Sequence, residues 1–473
     1  MSPRESIHGQ WSSKWAFVLA ATGSAVGLGN IWKFPYITGV NGGGAFVLVY
    51  LLCIACIGIP IMMAEILLGR RGRQSPINTM KTLAIESGHH PAWQLLGYMG
   101  VLAGFLILSY YSVIAGWALA YVFRTAAGTF SGQTADGVNN IFGTLVNTPE
   151  ILLGWHTLFM AMTIFVVARG VRSGLEQAVK FLMPALLVIL IVLVGYAMNT
   201  NSFGRAVEFL FTPDFSKLSW GAVLTAMGHA FFTLSLGMGA IMVYGSYLPK
   251  NTSIARTTFM IASADTVVAL LAGLAIFPLV FANNLEAGSG PGLIFITLPL
   301  AFGRMDGGVL FGTLFFILLT FAAWTSAISL LEPIVTWLVE NKRLKRVTAT
   351  FLGGSVTWAL GLLTIFSFQK DSPIIFSFSF AGEKKENGMF DVLDILTANI
   401  MLPLGGVLIA VFAAYIMSRE ASRDELNMGD GLGYRSWRFL ASSIAPGAVI
   451  IVFLNIMGVL DAIVYMFKNI FSP

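Results

Sequence analysis

The chain has 473 residues, of which 56% are hydrophobic and only 11% charged, with a mean hydropathy of +0.79. So little charge excludes a soluble globular enzyme and a disordered scaffold, because most side chains must face lipid or one another. The net charge of +5 requires no nucleic-acid partner, since the basic residues fall in short segments where membrane topology demands them.

Apolar runs of the length that crosses roughly 30 Å of hydrocarbon recur along the chain. Eleven spans are expected, at 12–36, 41–69, 93–123, 152–168, 174–198, 218–248, 254–283, 308–339, 347–368, 391–418 and 437–467. The first is too long and too interrupted for a cleavable leader. Most of the lysines and arginines lie in the N-terminus, "GRRGRQSPINTMK", "ARGVRSGLEQAVK", "LPKNTSIAR", "ENKRLKR" and "SREASRDELNMGDGLGYRSWR". The positive-inside rule therefore places the N-terminus in the cytoplasm, and an odd number of spans places the C-terminus outside the cell membrane. No linker or low-complexity tract divides the chain, so residues 1–473 are expected to form one membrane domain.

The first span carries an interruption, "SAVGLGNIWKFP", in which Gly27 and Gly29 precede Asn30, Lys33 and Pro35. In the second, Cys53 and Cys56 are too few for a metal site and are expected to be packing residues. The sixth, "FFTLSLGMGAIMVYGSY", repeats the pattern with Gly237 and Gly239 after Thr233 and Ser235. Either pair alone could be a device that lets helices approach closely. Both together, at the start of each half, predict two five-helix repeats of opposite orientation, 12–198 and 218–418, with 437–467 added. Unwound backbone at membrane depth costs several kcal/mol for each unpaired group, so it persists only where protein, ion or ligand satisfies it. Acids inside spans carry a similar penalty and are functional by default; Asp265 in the seventh and Glu65 in the second are such acids. Glu65 is expected to bond the broken backbone. No nucleophile and base, and no metal-ligand cluster, argues for an enzyme.

The stretches "WSSKWAFVLAATGSAVGLGNIWKFPY", "NGGGAF", "IPIMMAEILLGR", "FLFTPDF", "FFTLSLGMG", "WTSAISLLEP" and "FDVLDILTANIMLPLGG" resemble, in order and spacing, the neurotransmitter:sodium symporters. Within that family the chain is most similar to bacterial amino-acid transporters of the LeuT-like fold. The resemblance implies an all-α membrane protein of eleven helices with a 5+5 inverted repeat and broken helices one and six. It also implies a symporter that couples two sodium ions to import of a small amino acid by alternating access. A nontransporting sensor, or a carrier of another small amine, is the alternative.

By resemblance, the first sodium is held by the Ala25 carbonyl, the Asn30 side chain, Thr233 and a residue of helix seven, with Asp265 the candidate there and the substrate carboxylate completing the shell. The second lies among Gly23 and Val26 on helix one and Ala322, Thr325 and Ser326 on helix eight. The substrate carboxylate meets the N–H groups of Leu28 and Gly29 and the hydroxyl of Tyr111. The ammonium meets carbonyls of Ala25, Phe232 and Thr233 and the Ser235 side chain. Ile107, Tyr111, Phe232, Ser326, Leu330 and Met238, with Gly237 beside it, line the side-chain pocket. An unbranched thioether at position 238 bends aside, which predicts a broad pocket for neutral aliphatic and aromatic L-amino acids. A carboxylate at Asp265 removes the need for chloride. His229 stands where the family usually has a glutamine, and it is read as a packing residue or as a proton partner of Asp265.

Lys33, pairing with Asp394, is expected to close the outer vestibule, although lysine lacks the bidentate fork of the usual arginine. Trp11, Tyr247 and Glu340 are expected to close the inner one, with His8 or Arg4 in place of the family's N-terminal arginine. Gly174 and Pro184 match a helix-five spacing linked to unwinding in the family, and a simple proline kink is the alternative. No obligate protein partner is implied.

Overall fold

In the computed structural model, residues 6–285, 292–369, 372–380, 383–386 and 388–456 are described. Among them, nine helices are long and apolar enough to cross a membrane, and the bent pair Lys14–Ala25 and Gly29–Val40 makes a tenth span. The expected sixth span is present as two pieces, Trp220–Thr233 and Ala240–Ser246, each too short to cross alone. The eleventh runs over Leu432–Asn455 in place of 437–467, and the remainder of that segment lies outside the described residues. The boundaries of the other spans agree with the sequence reading to within a few residues, as in Gly308–Lys342 against 308–339.

The third and eighth spans, Pro91–Ala126 and Gly308–Lys342, are 78% buried over their most apolar windows, whereas the eleventh is 29% buried. Two long central helices thus form the scaffold, packed along one another, and the first and sixth spans lean on them. Both central helices are apolar on every side, as helices enclosed by other helices must be. The fifth span begins with a π-helical turn, Val171–Glu176, that contains Gly174, and continues as an α-helix through Pro184. The segment is wound in this structure.

Periodicity of the spans did not reveal the short helices that join them. Pro76–Glu86, Ala135–Val146, Phe203–Phe211, Leu298–Arg304 and Arg419–Leu426 lie between spans, and Phe378–Phe380 pairs antiparallel with Glu383–Lys385. Their apolar stripes are brief, and they are stabilised by docking onto the bundle more than by their own propensity.

Candidate functional site

The first span bends by 49° between its two pieces. Its first helix ends at Val26, whose ψ of 100° turns the chain out of the helical ladder. The terminal carbonyls, which lose their partners there, are taken by hydroxyls from other spans. Ser24 O accepts from Ser235 Oγ at 2.8 Å and from Ser326 Oγ at 3.1 Å, and Gly23 O accepts from Ser326 Oγ at 3.4 Å. On the other side of the break, the Leu28 N–H donates to Tyr111 Oη at 3.2 Å. Gly27 lies where no side chain fits, because a Cβ there would stand 2.5 Å from Ser326 Oγ and 2.8 Å from Tyr111 Oη.

The sixth span unwinds over residues 234–239, earlier than its paired glycines suggest. Ser235, Gly237 and Gly239 have φ of 55°, 77° and 75°. For Ser235 this left-handed conformation costs roughly 1–2 kcal/mol, and its hydroxyl bond to Ser24 O ties one break to the other. The Gly237 N–H donates to Glu65 Oε1 at 2.5 Å, so the buried acid of the second span supports the broken backbone. Between the breaks lies a cavity of about 20 Å3 lined by Ser24, Ala25, Gly27, Gly29, Ile107, Tyr111, Phe232, Ser235, Met238, Ser326 and Leu330. The structure thus brings together nearly all of the residues expected to hold a substrate. Leu28, Thr233 and Gly237 adjoin the same breaks.

Beside this cavity sits Asp265, wholly buried. Its Oδ1 accepts from Asn30 Nδ2 at 2.8 Å, both carboxylate oxygens lie 3.1 Å from Thr233 Oγ1, and Oδ2 lies 3.4 Å from Tyr50 Oη. Asn30 Oδ1 meanwhile accepts the Gly27 N–H at 3.1 Å. The carboxylate therefore faces three donor groups, Asn30, Thr233 and Tyr50, and no ion pair among the described residues, an arrangement that favours a bound cation or a proton. Tyr50 was not among the expected residues. A lone phenol in the run "FVLVYLL" was the available signal, since a hydroxyl at that depth must find a partner.

His229 does not bond Asp265. Its ring packs 6.0 Å from Phe34 and 5.4 Å from Tyr50, and neither ring nitrogen has a hydrogen-bond partner among the described residues. The packing alternative describes it.

On the opposite side of the first span, Gly23 faces the eighth, where a Cβ on it would lie 3.2 Å from Thr325 Cβ and 3.1 Å from Met183 Sδ. Ser326 reaches across to the first span, whereas Thr325 Oγ1 is turned back to Phe321 O at 3.2 Å and Ala322 O at 3.1 Å. Gly23, Ala322, Thr325 and Ser326 thus meet where the first and eighth spans touch, whereas among the described residues no hydrogen bond from Val26 reaches the eighth span.

Closure differs at the two ends. Lys33 and Asp394 do not pair: Lys33 Nζ lies 4.8 Å over the Phe232 ring, and Asp394 Oδ1 accepts from Tyr110 Oη at 3.4 Å. A lysine ammonium is content above a ring face, and its unforked head has no geometric claim on a distant carboxylate. At the N-terminal end, Trp11 Nε1 donates to Tyr244 O at 3.0 Å and its N–H to Tyr247 O at 3.1 Å. His8 Nε2 lies 3.1 Å from Glu340 Oε1, which makes His8 the residue at the expected arginine's place, while Arg4 lies outside the described residues. Tyr247 bonds Glu332 at 2.7 Å and not Glu340, and Arg346 Nη2 reaches the other Glu332 oxygen at 2.5 Å. The sequence reading missed Glu332 as a site, although an acid inside the apolar run of "SLLEPIV" carried the same signal as Asp265.

A model of the sodium:neurotransmitter symporter family matches residues 8–141 and 142–470. The chain is 39% identical over 456 residues to the uncharacterized sodium-dependent transporter YhdH of Bacillus subtilis, spanning 96% of this chain and 98% of that protein. It is 32% identical over 451 residues to an uncharacterized sodium-dependent transporter of Haemophilus influenzae, spanning 94% and 97%. The crystal structure of MhsT in complex with L-phenylalanine superimposes with a TM-score of 0.86 at 41% identity, covering 94% of this chain and 99% of that one. Two broken spans around a buried carboxylate, the family match along nearly the whole chain and the shared fold agree: the chain belongs to the sodium:neurotransmitter symporter family, whose members are transporters and not enzymes.

Proposed function

We propose that this protein imports neutral hydrophobic L-amino acids, aliphatic and aromatic, together with two sodium ions and without chloride. The observation that carries the reading is the buried Asp265 carboxylate, held by Asn30, Thr233 and Tyr50 beside a cavity between two broken spans and lacking an ion pair among the described residues. One sodium ion neutralises that carboxylate; its entry turns the Asn30 amide over, so that Oδ1 leaves the Gly27 N–H and faces the ion. The Ala25 carbonyl and Thr233 complete its protein ligands. A second ion takes the neutral oxygens of Gly23, Val26, Ala322, Thr325 and Ser326, for which Thr325 must release its own helix. Oxygen-only shells of this kind suit a hard cation.

The substrate carboxylate then replaces Tyr111 as the acceptor for the Leu28 N–H, with Gly29 alongside, and its ammonium meets the carbonyl ends of the sixth span. The occupied L-phenylalanine complex of MhsT supports a hydrophobic amino acid as substrate. Phe232 covers the site from the Lys33 side. The halves 12–198 and 218–418, with 437–467, act as one transport domain in a cell membrane, with the N-terminus in the cytoplasm and the C-terminus outside. Two ions entering down a tenfold gradient and a 100 mV potential supply roughly 7 kcal/mol per cycle, enough to concentrate a zwitterion by several decades. On the empty return step, Asp265 carries a proton in place of sodium.

Uptake of labelled L-leucine into proteoliposomes tests the reading. It is expected to require sodium, to ignore chloride, and to be suppressed by excess L-phenylalanine or L-tryptophan. Uptake indifferent to sodium or to those competitors overturns it. Asp265→Asn is expected to be inactive without chloride; an Asn variant that transports and stays indifferent to chloride overturns the role given to the carboxylate.

A further inference from the structure

Ser24 and Ser329 form a hydroxyl chain whose polarity is set by the backbone. Ser329 Oγ donates to Ser326 O at 2.8 Å, so its one proton is committed. Ser24 Oγ, 2.8 Å from Ser329 Oγ, is therefore the donor of that pair, and its proton points away into the eighth span. A hydroxyl has one proton and two lone pairs, so Ser24 retains acceptor capacity. Ser24 is buried and stands on the wall of the cavity between the breaks. The other serine protons around it are also spent, since Ser235 Oγ and Ser326 Oγ both donate to Ser24 O. The serine side of the cavity wall thus presents hydroxyl oxygen with its protons committed, whereas Tyr111 on the same wall accepts the Leu28 N–H and keeps its own hydroxyl proton.

We infer that Ser24, oriented by Ser329, is a specificity-determining residue that accepts a hydrogen bond from the side chain of the substrate. This inference rests on the amino-acid reading above and narrows it. Side chains with a donor at the end of an apolar body, the tyrosine phenol and the tryptophan indole N–H, are the ones that would supply that bond once the pocket widens around substrate. In a wholly apolar pocket, a phenol would be buried without a partner and tyrosine would bind much more weakly than phenylalanine.

The test measures sodium-dependent displacement of labelled L-leucine from the purified full chain by L-phenylalanine, L-tyrosine, L-tryptophan and 1-methyl-L-tryptophan. The protein is expected to bind tyrosine at least as tightly as phenylalanine, and tryptophan more tightly than its N-methyl derivative. Ser24→Ala is expected to lower the tyrosine-to-phenylalanine affinity ratio about tenfold, the scale of one net hydrogen bond, and Ser24→Thr to restore it. Ser329→Ala frees the Ser24 proton and is expected to raise the affinity of O-methyl-L-tyrosine relative to tyrosine. Tyrosine binding tenfold or more weaker than phenylalanine in the unaltered chain overturns the inference. A ratio unmoved by Ser24→Ala does the same, as does an equal loss for both ligands, which would assign Ser24 to the ammonium. Failure of the unaltered protein to bind any of these ligands with sodium would instead remove the underlying amino-acid reading.

Discussion

The two ends of the bundle are closed by different physics. At the N-terminal end, charges and hydrogen bonds join the N-terminal segment, the sixth span, the eighth span and the start of the ninth. His8 meets Glu340, Trp11 meets Tyr244 and Tyr247, and Glu332 holds both Tyr247 and Arg346. Ser12 N–H also donates to Glu176 Oε2 at 3.0 Å, fastening the start of the first span to the fifth. At the far end, the Phe232 ring lines the cavity with the Lys33 ammonium 4.8 Å above it, and the proposed closure there rests on that one contact. The difference teaches that opening the two ends requires unequal work. Swinging Phe232 aside forfeits one cation–π contact, about 0.5–2 kcal/mol. In the proposed transport cycle, opening the N-terminal end would separate the Arg346–Glu332 ion pair, whose carboxylate is fully buried, together with several hydrogen bonds.

The largest effect expected from this contrast follows Glu332→Ala. It leaves the Tyr247 hydroxyl buried without its acceptor and the half-buried Arg346 guanidinium with only the Val167 carbonyl, a loss of about 2–3 kcal/mol. Thermal unfolding of the purified variant should show a clear fall in midpoint, and single cysteines below Trp11 should label faster. An unchanged midpoint would mean that the N-terminal network is ornamental.

Next in size is Phe232→Ala. Removing the ring uncovers the cavity, and dissociation of bound L-phenylalanine is expected to accelerate about tenfold, equivalent to ~1.4 kcal/mol. Stopped-flow dilution reads this directly, and an unaltered off-rate would show that the cover lies elsewhere.

A smaller change is expected for His8→Ala. Glu340 retains the Ser75 N–H at 2.8 Å and Asn78 Nδ2 at 2.7 Å, so the loss should stay within about 1 kcal/mol. If His8→Ala proves as damaging as Glu332→Ala, the weight at this end falls on the N-terminal segment and not on the eighth span.

The smallest belongs to Lys33→Arg. A planar fork can seek Asp394, which now bonds Tyr110, and a surface-side pair contributes up to about 1 kcal/mol. Label access from that end is expected to slow by two- to threefold. A variant that labels as fast as the parent would show that Asp394 is not a gate partner even for arginine.

Much of this was legible in sequence because the lipid solvent permits few answers. Apolar runs must be helices of fixed length, so ten spans and the broken first were readable from hydropathy and two glycine pairs. The candidate site was also readable as a set: Ala25, Gly29, Ile107, Tyr111, Phe232, Ser235, Met238, Ser326 and Leu330 were foreseen near one another and line one cavity. What escaped were residues whose meaning lies in a partner far along the chain. Tyr50 acquires its role from Asp265, 215 positions later, and Glu332 from Tyr247 and Arg346 on two other segments. Short connecting helices escaped as well, because a few turns of amphipathic sequence are helical only once docked.

Membrane class, the positions of the spans and the two interruptions were therefore written in the sequence alone, since hydrophobic length and paired glycines act locally. Only the tertiary structure decided that Ser235 belongs to the unwound stretch, that Lys33 rests on Phe232 in place of Asp394, and which way the Ser24 proton points. Each of these depends on which donor meets which acceptor between spans, and in a water-poor interior that pairing is a property of the packed bundle and of no single segment.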